Sequence, residues 1–395
     1  MPEHTDMHIG TRLREVRKRR GMTQRDLAGA SKVSLSLIRK LEQGEVSDTR
    51  METARRLAAA LRIPTTTLLT RDAAPAARGV ADQWAPVRAA LGAPHTWTGP
   101  DDEPTVAGVS DALTAALPLF SGDKFAELAV VLPALLRDAD AVAETDPEGR
   151  AVRVRLLQLT GWLLTQTRQY DTASEALARS LDDAGDRLQG AASVNTLCWL
   201  LLRQGKVAEA RELATRWADD TEPRLSRATP AELSAWGWML LRISASAVRD
   251  NREGEASDAL RLARSAAVAL GREYAPRHDF LRTFGPVTVA MKRTENAAVK
   301  DRPDRVLSLA STLPTDRLHP TSSNRNRHRL DVASAHTSMR QYAEAVGVLA
   351  EIREESPEWL PQQQYARDIL SRIVARRRTL TPEMRSLADA VALPL

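Results

Sequence analysis

Between Ile9 and Leu69 apolar residues recur at intervals of three and four, and short polar breaks interrupt them. That period belongs to helices that bury one face. A first helix is predicted over about Ile9–Arg20, with Leu13 and Val16 inward, and Gly21 ends it. Thr23 caps a second helix, Asp26 completes a reduced capping box three residues on, and Leu27 and Ala28 face the core. Ser31-Lys32-Val33 forms a turn. Ser34 then caps a third helix, whose Leu37, Ile38 and Leu41 make a buried stripe until Gly44 stops it. A fourth helix spans about Arg50–Leu61 through Met51, Ala54, Leu57, Ala58 and Leu61. Pro64 stops it, and Thr65–Leu69 makes a short fifth.

From Arg71 to about Pro104 the chain is rich in Ala, Pro, Gly and Asp, and only Trp84–Leu91 has a helical pattern. Residues 72–104 are expected to be a linker or a loosely docked connector. Beyond Pro104 helix follows helix, and one unit recurs. Tyr170-Asp-Thr-Ala173 resembles Val207-Ala-Glu-Ala210, with echoes around Ala256, Val306 and Ala345. The five small positions are 37, 46, 50 and 39 residues apart. Each is placed at the start of a second helix, where a small side chain lets two helices approach closely. The spacing is near the tetratricopeptide unit of ~34 residues, stretched by longer helices. The chain is therefore expected to be all-α, with a five-helix head over 1–71 and an α-solenoid of helical hairpins over 105–395. The alternative for the second part is a multi-helix domain without a repeat. Phe284-Gly285-Pro286 bends or ends a helix within it.

Composition agrees: aromatics make up 4% of the 395 residues, while Ala, Leu and Arg abound. The bias towards Ala and Arg suggests a high-GC bacterial genome. Charge changes the picture more. Residues 1–71 hold fifteen Lys/Arg against eight Asp/Glu, whereas the remainder carries 41 against 43. A basic head on a near-neutral body points to a polyanion-binding module joined to something else. The single cysteine, Cys198, lies in an apolar run, reads as a core thiol and forbids an intrachain disulfide, which fits a reducing cytosol. No apolar stretch reaches membrane-spanning length and no signal core follows the N-terminus, so a cytoplasmic protein with no membrane partner is expected. The seven histidines are scattered, and there is no phosphate-cradling glycine loop and no Gly-x-Ser-x-Gly elbow. No enzyme activity, cofactor or metal is expected.

Residues Gly21-Met22-Thr23-Gln24, Leu27-Ala28, Val33-Ser34, Ile38, Leu41-Glu42-Gln43-Gly44 and Leu57-Ala58 with Leu61 and Pro64 combine cap, period and stop at fixed offsets. Over Ile9 to about Leu69 this set resembles the phage-repressor-like (Xre/Cro) helix-turn-helix family. The resemblance implies a lambda-repressor-like DNA-binding head that lays its third helix in the major groove. It implies phosphate contacts from Gln24, at the start of the second helix, and from Gln43. Ser34, Leu35, Ser36, Arg39 and Lys40 would meet base edges or the groove wall, Arg39 or Lys40 donating to guanine and Leu35 touching a thymine methyl. Arg50 would enter the adjacent minor groove. Arg14, Lys18 and Arg19 would add backbone charge. Arg17 and Glu42 match the family's internal ion pair and are assigned to structure.

A DNA-reading head on a helical-repeat body resembles bacterial regulators, including peptide-responsive ones, by architecture alone. The body is expected to dimerise the chain and to sense a signal, with a peptide, a small molecule or a protein as the candidate effector. Its inner wall would come from the first helix of each hairpin. Asn195, Trp238, Arg242 and Arg282 are the foremost ligand candidates, alongside Arg155, Gln158, Trp199, Asn296, Arg325 and His328: Asn holds a peptide backbone and Arg a carboxylate. The expected function is a nucleoid-associated transcriptional regulator that binds a double-stranded DNA operator as a homodimer. The alternative is an interaction adaptor that its head localises to DNA.

Overall fold

The computed structural model describes residues 9–46, 49–63, 65, 68, 82–92, 103–275, 283–314, 322–377 and 379–393. Its described residues form helices and no strand; one isolated antiparallel bridge joins Tyr274 and Phe284. The fold is all-α, as the periodicity predicts. The chain divides into two compact units, one of residues 1–120 and 124–156, the other of residues 121–123 and 157–395.

In the first unit, α1 (Ile9–Arg19), α2 (Gln24–Ser31), α3 (Leu35–Gln43) and α4 (Met51–Leu61) build the head. The signals read from the sequence act as expected. Thr23 caps α2 in a full capping box with Asp26, Ser34 Oγ accepts from the Leu37 N–H, and Gly44 closes α3 in the left-handed region. Leu13, Leu27, Ile38, Leu41 and Leu57 are fully buried in one core, each contributing about 1.5–3 kcal/mol of burial. Gly10 lets α1 meet α3: a Cβ there would stand 1.6 Å from the Leu41 carbonyl oxygen. Of the predicted fifth helix, Thr65 and Leu68 are described and helical; its other residues lie outside the described set.

The same unit continues through α5 (Ala85–Gly92), α6 (Val106–Ser121), α7 (Phe125–Thr145) and the first half of α8 (Pro147–Gln166). The expected separation of the head from helices beyond residue 104 is not what the packing gives. Residues 105–120 and 124–156 belong to the head's compact unit. Polar contacts of the first turn of α4 hold them there. Asp138 of α7 accepts from the Met51 N–H at 2.6 Å and pairs with Arg50 at 3.3 Å. Glu52 accepts from the Thr105 backbone and hydroxyl at 3.3 and 3.2 Å. Of the predicted linker, 82–92 and 103–104 are described, and α5 falls on the predicted Trp84–Leu91 segment, packing on α7.

The second unit is a run of helical hairpins. Its elements are the rest of α8, then α9 (Tyr170–Asp182), α10 (Arg187–Arg203), α11 (Val207–Thr221), α12 (Pro230–Arg249), α13 (Glu253–Leu270) and α14 (Pro286–Val299). They continue with α15 (Pro303–Ala310), α16 (Ser322–Ser338), α17 (Tyr342–Glu355), α18 (Gln364–Val374) and α19 (Pro382–Ala390). From α9 onward each helix packs on the next, and the first helices α10, α12, α14, α16 and α18 also pack on one another in series. That double pattern is how stacked hairpins bury a continuous core.

The repeat has a backbone signature. Arg168, Gly205, Asn251, Asp301 and Arg340 all take positive φ, between 51° and 78°. Each lies five residues before one of the small positions Ala173, Ala210, Ala256, Val306 and Ala345, which are 0–1% exposed. In every case the next N–H bonds back five residues, as Lys206 does to the Leu201 carbonyl at 2.9 Å. This is a Schellman closure followed directly by the second helix. The α6–α7 connection has the same form, with Asp123 at φ 54° and the Lys124 N–H on the Leu119 carbonyl. The five sequence echoes did not include it, because Leu128 there replaces the small residue. Phe284-Gly285-Pro286 ends a connection: Phe284 is fully buried and Pro286 opens α14.

Candidate nucleic-acid interface

Helix α3 carries two faces of opposite kind. Leu37, Ile38, Leu41 and Glu42 point into the head. Ser34, Ser36, Arg39 and Gln43 are exposed, and Leu35 and Lys40 are half-buried beside them. The 3.6-residue period thus presents together the side chains that the sequence assigns to base reading. Arg14 and Lys18 are exposed on α1.

The inward face is anchored by charge. Arg17 grips Glu42 bidentately, Nε to Oε1 at 2.6 Å and Nη2 to Oε2 at 2.7 Å, and donates through Nη1 to the Met22 carbonyl at 2.8 Å. Burial opposes the charge on Glu42, but hydrogen bonds from Arg17 and Gln24 outweigh it and hold its carboxyl below the usual carboxylate range. The pair fixes α3 against α1, so the outward face is rigidly offered.

Two expected DNA contacts need correction. The Gln24 Nε2 donates to Glu42 Oε2 at 2.8 Å, so the amide proposed for phosphate is engaged within the head. The backbone N–H groups opening α2 remain suited to a phosphate oxygen. Arg50 is 4% exposed and paired with Asp138, so it does not stand ready for a minor groove. The partner lies 88 residues along the chain, where no local pattern points to it.

In the second unit, the ligand candidates Asn195, Trp238 and Arg242 come together. Asn195 Oδ1 accepts from Arg242 Nε at 2.7 Å, and the guanidinium lies 5.2 Å from the Trp238 ring centre. Asn195 and Trp238 are each 1% exposed, so they support Arg242 and do not face outward themselves. Arg242 lines a cavity of about 410 Å³, together with Trp199, another of the candidates. Its wall comes from α8, α10, α12, α14, α16 and α18, all first helices of hairpins. The sequence reading missed Arg203, Arg249, Lys292, Glu295, Arg327, Asp331 and Tyr365, which share that wall. Helical spacing places Arg203 one turn beyond Trp199, the one signal that was available. Arg282 lies outside the described residues. Gln158 donates to the Gln189 carbonyl and Ser193, and Asn296 to Ser244, so both are engaged in packing. Cys198 is buried, and its surroundings push the thiol up to about 12. No helix among the described residues is long and apolar enough to cross a membrane.

Residues 13–68 match a helix-turn-helix family model. The match spans α1 to α4 and supports the head as the DNA-binding domain of a transcriptional regulator. No curated protein and no solved structure matches the chain.

Proposed function

We propose that the chain is a sequence-specific transcriptional regulator that reads a duplex operator through α3. The observation that carries this reading is the outward row Ser34, Leu35, Ser36, Arg39, Lys40 and Gln43 on a helix locked by the Arg17–Glu42 pair. One head buries little surface on DNA, so useful affinity calls for two heads on half-sites about 34 Å apart or a multiple of that. We assign dimerisation and signal input to the hairpin array. An effector acts there by binding unequally to two arrangements of the heads. The reading gives the protein no catalytic role and a place on cytoplasmic, nucleoid DNA.

The test selects bound duplexes from a random pool with the full chain, then measures gel shifts on the winner. Arg39→Ala is expected to relax base preference, at a cost of about 1–3 kcal/mol on the preferred site. Gln43→Ala is expected to weaken all sequences alike. No enrichment from the pool, or binding indifferent to both substitutions, refutes the reading.

A further inference from the structure

The cavity of the second unit collects more positive charge than it neutralises. Five basic side chains line it, Arg203, Arg242, Arg249, Lys292 and Arg327, against the two carboxylates Glu295 and Asp331. Glu295 is spent on Lys292 and Arg249, at 2.7 and 2.8 Å. Arg203, Arg242 and Arg327 have no carboxylate within ion-pair distance among the described residues. Their hydrogen-bond and ring partners are neutral. Arg242 has Asn195 and the Trp238 face. Arg327 lies 5.1 Å from the Trp199 ring centre, with its Nη2 on Gln363 Oε1 at 3.3 Å, and Arg203 lies 6.0 Å from the same ring.

Gathering like charges in a desolvated space without counter-charge is unfavourable. The cost is visible in the groups themselves: burial lowers Arg242 to about 10 and Arg327 to about 9, and both stay cationic at neutrality. The Asn324 Nδ2 at the same wall is buried and has no hydrogen-bond partner. Three guanidinium groups and an amide donor without a partner thus line one partly open cavity.

We propose that this cavity binds a small organic anion carrying phosphate or clustered carboxylates, held by Arg203, Arg242 and Arg327. Guanidinium forks match both kinds of group bidentately. A volume of about 410 Å³ admits a metabolite and excludes duplex DNA. The two tryptophans hold the cations by their faces without neutralising them. The anion ties together α10, α12 and α16, and so stiffens the array. Only this last consequence, an effect on the heads, rests on the sensor reading proposed above.

Asp331 tunes the site. Burial and the nearby charge of Glu295 push it up to about 7, while Lys292, Arg249 and Arg327 act in the opposite direction. Below that value it is neutral and the cavity is one charge more positive. The other titratable neighbours are silent around neutrality: His328 is lowered to about 4 and Tyr365 raised to about 12.

Calorimetric titration of the full chain with inorganic pyrophosphate, and separately with citrate, tests the proposal, with trehalose as neutral control. Saturable one-site binding of at least one anion is expected, with a Kd below about 100 μM. Which anion binds separates the phosphoryl from the carboxylate source. Arg327→Gln and Arg203→Gln are expected to weaken it at least about tenfold each. Arg261→Gln, an exposed cation elsewhere, is expected to leave it unchanged. Arg242→Gln is scored only with an intact melting transition, and the two half-buried arginines carry the test if it does not fold. Near pH 8 Asp331→Asn is expected to bind about threefold more tightly than wild type, and near pH 6 the two are expected to converge, a comparison at each pH in which the anion's own titration cancels.

Binding weaker than about 1 mM for both anions overturns the proposal. So does equal binding by all variants, or capture of a short acidic peptide where both small anions fail. Gel shifts on the same preparations keep the readings apart. Anion binding without DNA recognition sinks the regulator, and DNA recognition without anion binding sinks this site.

Discussion

Asp138→Ala should destabilise the first unit by about 3–5 kcal/mol, far more than a surface aspartate would. The carboxylate acts twice. Its Oδ2 accepts from the Met51 N–H at 2.6 Å, capping α4 from another helix, and its Oδ1 pairs with Arg50 at 3.3 Å. The paired side chains are 2% and 4% exposed. Truncation removes the Asp138 counter-charge from the buried Arg50 guanidinium, which costs about 3–5 kcal/mol. The lost cap alone is worth about 1 kcal/mol and overlaps with that figure, since one carboxylate supplies both. A unit of this size moves about 2–4 °C per kcal/mol, so the melting temperature should fall by roughly 10 °C. Urea titration gives the free energy, and amide exchange should show the first turn of α4 opening before the Leu27–Ile38–Leu57 core. Replacing both partners, Arg50→Met with Asp138→Leu, should recover most of the loss, because apolar groups need no counter-charge. The reasoning is refuted if Asp138→Ala stays within about 1 kcal/mol of wild type while Arg50→Ala spares stability and weakens DNA binding. That result would return Arg50 to the minor groove.

Gly10→Ala should cost about 1–3 kcal/mol by forcing α1 off the Leu41 carbonyl, whereas Gly29→Ala, with open space around it, should stabilise α2 by about 0.5–1 kcal/mol in the same melts. The Arg17–Glu42 pair should make the head acid-labile. The Glu42 carboxyl is held below its ordinary 4.5, so its stabilisation is full above that value and is lost as pH falls through the lowered one, and Glu42→Gln should flatten a pH series of melts on the acid side. At the hairpin turns, Asp301→Gly should relieve left-handed strain and stabilise by up to about 1 kcal/mol, while Gly205→Ala should destabilise by about as much; equal effects of one sign would deny the shared turn geometry.

The head was legible from the sequence alone because its signals are local. A cap, a period and a stop lie within a dozen residues of one another, and each specifies its own stretch of backbone. That is why Thr23, Ser34 and Gly44 perform as expected and why the face of α3 could be assigned before any packing was known. The hairpin period was legible for a related reason: each turn repeats one backbone solution a fixed distance before a small, buried residue. It failed at Asp123, where Leu128 hides the unit and only the backbone reveals it. What tertiary structure decided is charge placement. Arg50 and Arg39 are both arginines of the head, yet one is sealed on Asp138 and the other faces solvent. Likewise Arg203, Arg242 and Arg327 are dispersed along the chain and converge only when successive first helices stack. Electrostatic energy depends on distance in space and on burial, and neither quantity is written in the order of residues.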